Sequence, residues 1–311
     1  MVEGIKGRKT NIKLGINTGF AINRFPEPEV WTRIVAEELG LRCVQFVADL
    51  LNPLLPQKII DKQIERIQAS AAKYGILIDT TFTGAFTRVN HLMHPDPELK
   101  EVWVHWFEDF FRISARLDAR GSGSHFGILS VQDFNDPERR KAITRQAIEA
   151  WQRLSKLGAE LGFQFLIFEP MSIPRENACT IRATEELLEM VNEKSAIPMK
   201  LCLDVDHGDP TSSDPDDNDP YAWLRRLGHL SPVIHIKQSR ADKSGHWPFT
   251  EEHNESGIIT PPRVIEAIEE SGAGDVLLLL EISHRERHPA EYRVLDDLKA
   301  SVDYWRPYVE T

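Results

Sequence analysis

Cysteine is scarce in this chain: three residues, Cys43, Cys179 and Cys202, in 311. They form no close pair of the CxxC kind, which argues against a disulfide framework or a cysteine-based zinc knuckle and for reduced thiols. Long apolar runs are missing as well. No stretch approaches the ~18 residues of a membrane span. The N-terminal MVEGIKGRKTNIKLG lacks the apolar core of a signal peptide, so a cytoplasmic protein with no membrane partner is expected. Basic residues are the minority, 37 Lys and Arg against 48 Asp and Glu, for a net charge of −11. Such a surface is a poor match for a phosphate backbone, so nucleic acid is not an expected partner. The turn NTGFAINRF also lacks the GxGxxG pattern that a doubly wound dinucleotide-binding sheet carries after its first strand.

What is present is a regular alternation. Eight apolar stretches read as strands: 12–18, 43–48, 76–82, 123–129, 163–169, 200–206, 233–238 and 276–282. Between them lie segments of helical period, among them 96–119, 136–162, ATEELLEMVNEK and PPRVIEAIEESG, with a final helix near 295–308. Several begin after Pro or Asp and end at Gly, the start and stop signals of amphipathic helices. Near-continuous apolar strands, each followed by a helix, imply parallel strands covered by helices on one side and filled on the other. The economical closure is a (β/α)8 TIM barrel, ~250 residues in its plain form. A hydrophobic fraction of 41% supplies its core, and no boundary interrupts residues 1–311, so a single domain is expected. The composition leaves room for a homo-oligomer. The acidic DPTSSDPDDNDP, 209–220, reads as a solvated loop, since it lacks the glycine and terminal glutamate of a calcium-binding EF-hand.

In such a barrel the chemistry belongs at the carboxyl ends of the strands. Strand five ends at Glu169, strand six at Asp204 with His207 three residues on, strand seven carries His235, and strand eight ends at Glu281. Each follows apolar residues, where an ionised group is costly unless it is paired or bound to a cation. Singly, each has a bland reading as a helix cap or satisfied core residue; together they form a mixed oxygen and nitrogen set suited to one divalent ion, Mn2+, Mg2+ or Co2+.

FEP at 168–170, LDVDH at 203–207, HIKQSR at 235–240 and LLLE at 278–281 resemble the xylose isomerase-like barrels. That family includes ketose 3-epimerases, hydroxypyruvate isomerase, inosose dehydratase and endonuclease IV, and the resemblance spans nearly the whole chain. It implies that Glu169, Asp204, His235 and Glu281 hold the ion, while His207 and Arg240 face the oxygens of a sugar. It further implies proton transfer at the carbon beside a carbonyl, with Glu169 and Glu281 as the catalytic pair and an enediolate stabilised by the metal. Glu176 and Arg175 join the substrate-binding candidates, although EPMSIPRE places Glu176 one residue farther from Glu169 than the ketose 3-epimerases do. His125, in GSHFG, is another.

The longer stretches TGAFTRVNHLMHPDPE, GSHFGI and EPMSIPRE resemble the branch of the family that acts on tetrulose phosphates in erythritol catabolism. That resemblance implies a small sugar phosphate as partner. Arg24, Arg88, Arg175, Arg240 and Lys243 are the candidate cations for its phosphate, with Arg240 favoured because it lies five residues after a ligand histidine. Phe20, Phe25, Phe86, Trp247 and Phe249 are candidates for an apolar wall. His91 and His94 have metal-like spacing, but they precede a helix start and read as loop packing. The nearest alternative is a ketose 3-epimerase or a hydroxypyruvate isomerase-type aldose-ketose isomerase that acts on an unphosphorylated sugar. A three-zinc endonuclease needs a DxH motif after His235 that ADKSGHWPFTEEH does not supply, and an inactive sugar-binding barrel would be missing at least one of the four ligands.

Overall fold

The computed structural model describes residues 10–88, 92–241, 243–284 and 291–311, with the backbone alone at Lys243 and Ser244. Eight parallel strands close into a barrel: β1 (Asn11–Asn17), β2 (Cys43–Val47), β3 (Leu77–Phe82), β4 (Gly121–His125), β5 (Phe165–Glu169), β6 (Met199–Asp204), β7 (Val233–Ile236) and β10 (Asp275–Leu280). β1 pairs with both β2 and β10, which completes the ring. The expected single-domain (β/α)8 barrel is the observed fold.

Helices cover the outside, chiefly α1 (Pro28–Arg33), α2 (Gln57–Tyr74), α3 (Pro97–Arg116), α4 (Val131–Asn135), α5 (Pro137–Glu160), α6 (Ile181–Asn192), α7 (Pro220–Leu227), α8 (Glu251–Asn254), α9 (Pro261–Glu270) and α10 (Val294–Trp305). Proline at the first turn of α3, α5, α7 and α9 costs nothing, because those N–H groups have no intrahelical acceptor. Asp96, Asp136 and Asp219 cap three of them by accepting from backbone amides. The acidic loop 209–220 is therefore largely capping chemistry: Asp209 accepts from Thr211 N, Asp214 from Asp216 N and Asp219 from Tyr221 N.

Two cores result. Strand side chains that point outward meet the helices, with Trp31, Phe107, Phe111, Trp151 and Trp305 fully buried there. Inward-pointing Phe82, Phe165, Ile167, Cys202, Val233, Leu277 and Leu279 fill the barrel. Making room for them requires glycine on β4, since a Cβ at Gly123 would lie 1.8 Å from the Ile167 carbonyl oxygen.

Two expectations need correction. Strand four runs over 121–125 and not 123–129, because the chain leaves the barrel at Phe126 and turns at Gly127, which has φ +150. The Phe126 carbonyl is taken up by the Trp151 indole N–H at 2.9 Å rather than by a neighbouring strand. The expected strand 233–238 stops at Ile236, and an antiparallel hairpin follows, β8 (Gln238–Arg240) with β9 (Lys243–Trp247). Gln238 draws the chain away: its amide donates to Ile259 O and Asn254 Oδ1 and accepts from Ile259 N.

Candidate active site

Strand periodicity builds the site. Successive side chains alternate between faces, so the inward rows continue upward from the apolar plug. Phe165 and Ile167 lead to Glu169, Cys202 to Asp204, Val233 to His235, and Leu277 and Leu279 to Glu281. Four polar groups thus stand in one ring on an apolar floor, at the carboxyl mouth of the barrel. Each offers a donor atom within 4.8 Å of the others. Among the described residues, donor groups gather in this way only around Glu169 and His235, once with Asp204 and Glu281 and once with Cys202; His91 lies outside the described residues.

The imidazole of His235, fully buried, turns Nδ1 toward Glu169 Oε1 at 2.9 Å. Glu281 Oε2 lies 3.6 Å and Asp204 Oδ2 3.9 Å from the same nitrogen. Its Nε2 faces Gln45 Oε1 at 2.7 Å and Cys202 Sγ at 3.4 Å. Glu169 Oε2 meets His125 Nε2 at 3.0 Å, and His207 holds Nδ1 against the Pro170 carbonyl at 3.0 Å.

Charges this close shift one another. Burial pushes the Glu169 carboxyl up, but His235, His125 and His207 outweigh it and hold the group well below 4.5. For Glu281 burial is likewise overcome, by Lys237, His235 and His246. Burial opposes the His235 imidazolium, yet its contact with Cys202 Sγ and the Glu281 and Glu169 carboxylates hold it well above 6.5. Burial pushes the Cys202 thiol up to about 11, so it is a neutral neighbour.

Lys237, which sequence reasoning missed, is fully buried with its ammonium against Asp204 Oδ2 and 2.9 Å from Glu281 Oε2. A signal existed. In HIKQSR, Lys237 is two residues after His235 and so falls on the same inward row. His246, on β9, was also missed; it approaches Glu281 Oε2 at 3.4 Å and Lys237 Nζ at 3.4 Å. Its position depends on the hairpin, which Asp206 ties down by accepting from Ser239 Oγ and from Gly245 N.

Above the ring opens a cavity of about 280 Å3 lined by Glu169, Glu281, His125, His207, His246, Arg24 and Arg88. The other candidates fall elsewhere. Arg175 donates Nη1 to Leu129 O at 2.6 Å, and Arg240 stacks 5.3 Å from the Trp247 ring; neither lines the cavity. Glu176, buried, receives Arg88 Nη2 at 2.9 Å, so it reaches the cavity only through that arginine. The Lys243 side chain lies outside the described residues. Of the expected aromatic wall Phe20 alone lines the cavity, joined by Phe82, Ile22 and Met171. Phe86 is exposed, and Phe249 is core, packed on Tyr304 and Trp305. His94 accepts from Asp96 N, a loop contact ahead of α3.

Fold and site together define a TIM barrel with a carboxylate and histidine centre at its catalytic face. A family profile described as xylose isomerase-like TIM barrel matches residues 34–307, and the chain belongs to that family. A curated relative, D-erythrulose 1-phosphate 3-epimerase of Brucella abortus (strain 2308), is 37% identical over 301 residues, 96% of this chain and 97% of its own. Among solved structures, a Rhodospirillum rubrum protein provisionally named a xylose isomerase superposes with a TM-score of 0.87 at 27% identity, covering 96% of this chain and 99% of that one. A D-psicose 3-epimerase of Clostridium cellulolyticum H10, solved with D-tagatose, gives a TM-score of 0.70 at 18% identity over 96% and 100% of the two chains, a likeness of fold. The chain is an enzyme of this family. No helix among the described residues is long and apolar enough to cross a membrane.

Proposed function

We propose that this chain interconverts the two C3 epimers of a short ketose phosphate, with erythrulose 1-phosphate as the substrate. The observation that carries the reading is the placing of two carboxylates, Glu169 buried and Glu281 half-buried, in one ring at the foot of a small cavity. The full-length relative supplies the substrate class, since its name is that of an erythrulose 1-phosphate 3-epimerase.

Glu169, Asp204, His235 and Glu281 would hold one divalent ion, Mn2+, Mg2+ or Co2+. Three carboxylates and an imidazole suit a hard or borderline cation, and their donor atoms already lie within 4.8 Å of one another. Bound there, such an ion supplies Lewis-acid polarisation of the ketone and neutralises developing negative charge.

The protein's own groups move the proton. One glutamate, held as a carboxylate, removes the hydrogen from C3; the electron pair of that C–H bond becomes the C2–C3 double bond of an enediolate as the C2 carbonyl oxygen takes the negative charge. The second glutamate takes a proton from its neighbouring histidine and delivers it to C3 from the opposite face, the carbonyl reforms, and the first glutamate passes the proton it removed to its own histidine. Each glutamate has a histidine through which its proton exchanges, His125 at 3.0 Å from Glu169 and His246 at 3.4 Å from Glu281. His207, on the cavity wall, is placed for the substrate hydroxyls. The apolar residues Phe20, Phe82, Ile22 and Met171 limit water around the enediolate.

The test is turnover of D-erythrulose 1-phosphate by the metal-loaded protein, followed by chiral analysis. Formation of the L epimer supports the reading; an aldose product, or faster turnover of free pentuloses or hexuloses, contradicts it.

A further inference from the structure

The ring of Glu169, Asp204 and Glu281 is a hostile floor for an anion. A phosphorylated sugar carries almost two negative charges at neutral pH, and the chain as a whole has a net charge of −11. Productive binding therefore needs a fixed cation placed away from the carboxylates. Five cations were candidates from sequence, and the described structure brings two, Arg24 and Arg88, to the cavity.

The two differ in how much of their charge is already spent. Arg88 Nη2 meets Glu176 Oε1 at 2.9 Å, and the Glu176 side chain is 8% exposed. A pair this close to a buried carboxylate is locally neutral. Arg24 is the more buried arginine, its side chain 11% exposed, yet among the described residues its one carboxylate partner is Glu291 at 3.5 Å, itself 56% exposed and weakened by solvent. Arg24 Nη2 donates to the His284 carbonyl at 2.7 Å, which fixes the guanidinium without neutralising it. Its Nε is buried with no hydrogen-bond partner among the described residues, a costly arrangement for a cation that has no further ligand.

Position agrees with charge. Arg24 follows β1 and reaches across to the segment after β10, where His284 stands three residues beyond Glu281. Three residues of chain span at most about 11 Å, and Arg24 and Glu281 both line the same cavity of about 280 Å3, so the guanidinium and the carboxylate face a shared space. We propose that Arg24 is the phosphate-binding residue of this enzyme, its guanidinium held over the β1–β10 side of the cavity to receive the phosphate of a short ketose phosphate. The assignment rests on the sugar-phosphate reading above. It makes Arg24 a determinant of substrate class, acting on the remote phosphate and not on the reacting carbon.

Two measurements on the metal-loaded protein test it. In the first, inorganic phosphate is titrated calorimetrically into wild type, Arg24→Ala, Arg24→Lys and Arg88→Ala. Arg24→Ala should weaken phosphate binding by about 10- to 100-fold, the scale of a lost charge-assisted contact. Arg24→Lys should recover part of the loss, and Arg88→Ala should lose less than Arg24→Ala. In the second, kcat/KM is compared for erythrulose 1-phosphate and free erythrulose. The loss in Arg24→Ala should be at least about tenfold greater for the ester, carried mainly by KM. Equal losses on both sugars, wild type that binds no phosphate, or a greater loss in Arg88→Ala would overturn the assignment. A wild type that binds phosphate through Arg24 yet fails to epimerise erythrulose 1-phosphate would uphold the subsite and sink the functional reading, so the two are separable.

Discussion

His235 Nε2 lies 2.7 Å from Gln45 Oε1, and that contact decides which ring nitrogen is free for chemistry. The orientation of Gln45 is set by a relay. Gly19 N donates to Asn17 Oδ1 at 2.7 Å, so Asn17 presents Nδ2 as a donor to Gln45 Oε1 at 2.9 Å. Gln45 Oε1 is thereby an acceptor, His235 carries its hydrogen on Nε2, and Nδ1 is aimed at the carboxylate ring. Gln45→Leu should weaken divalent-metal affinity by about 10- to 100-fold while leaving the fold intact. Competition with a chromophoric chelator measures this; unchanged affinity would mean that Gln45 does not orient the ligand.

Metal uptake at neutral pH should expel a proton. With no ion present the site holds His235 well above 6.5, so Nδ1 is protonated at pH 7, whereas a ligand imidazole must offer a lone pair. Apparent affinity therefore rises as pH climbs toward the elevated His235 value and levels off above it. Calorimetry in two buffers of different ionisation enthalpy reads the released proton directly. An identical heat in both buffers would contradict the protonated state of His235.

Lys237 supplies the only lysine ammonium at the ring among the described residues, against three carboxylates. Lys237→Met should destabilise the metal-free protein by about 3–5 kcal/mol, because a buried charge cluster loses its partner. Metal should then restore more stability to the variant than to wild type. Thermal melts with and without Mn2+ give the comparison, and an unchanged metal-free melt would show that Lys237 carries no such weight.

Removing either base should stop turnover without emptying the site. Glu169→Gln and Glu281→Gln are each expected to lower kcat by about 10²- to 10⁴-fold. Metal content is to be measured on the same samples, so that loss of the ion is not mistaken for loss of a base. A Gln variant that keeps both metal and near-normal rate would remove that residue from proton transfer.

The barrel was legible because its strands are short apolar runs that end in charge, and Glu169, Asp204, His235 and Glu281 each close an inward row of such a run. His125 and His207 were legible through the family resemblance, since His125 ends the glycine and serine strand β4 and His207 lies three residues beyond Asp204, past the end of β6. Lys237 was hidden in the segment taken as the continuation of strand seven, although the two-residue period from His235 pointed to it. His246 could not be placed, because nothing local in ADKSGHWPF announces a hairpin that Gln238, Asp206 and Gly245 hold through contacts distant in sequence. Arg240 was favoured for its nearness in sequence to His235, but the turn of that hairpin sends it over Trp247 and away from the cavity.

The central claim is inversion by proton transfer at C3, and proton NMR in deuterium oxide tests it most directly. Metal-loaded enzyme is given D-erythrulose 1-phosphate, and the L enantiomer that forms is separated by chiral chromatography before its spectrum is taken. Glutamates that exchange their protons through His125 and His246 predict solvent deuterium at C3 of the product and none at C4. Product that forms at full rate with its original C3 hydrogen, or with deuterium elsewhere, would contradict the account.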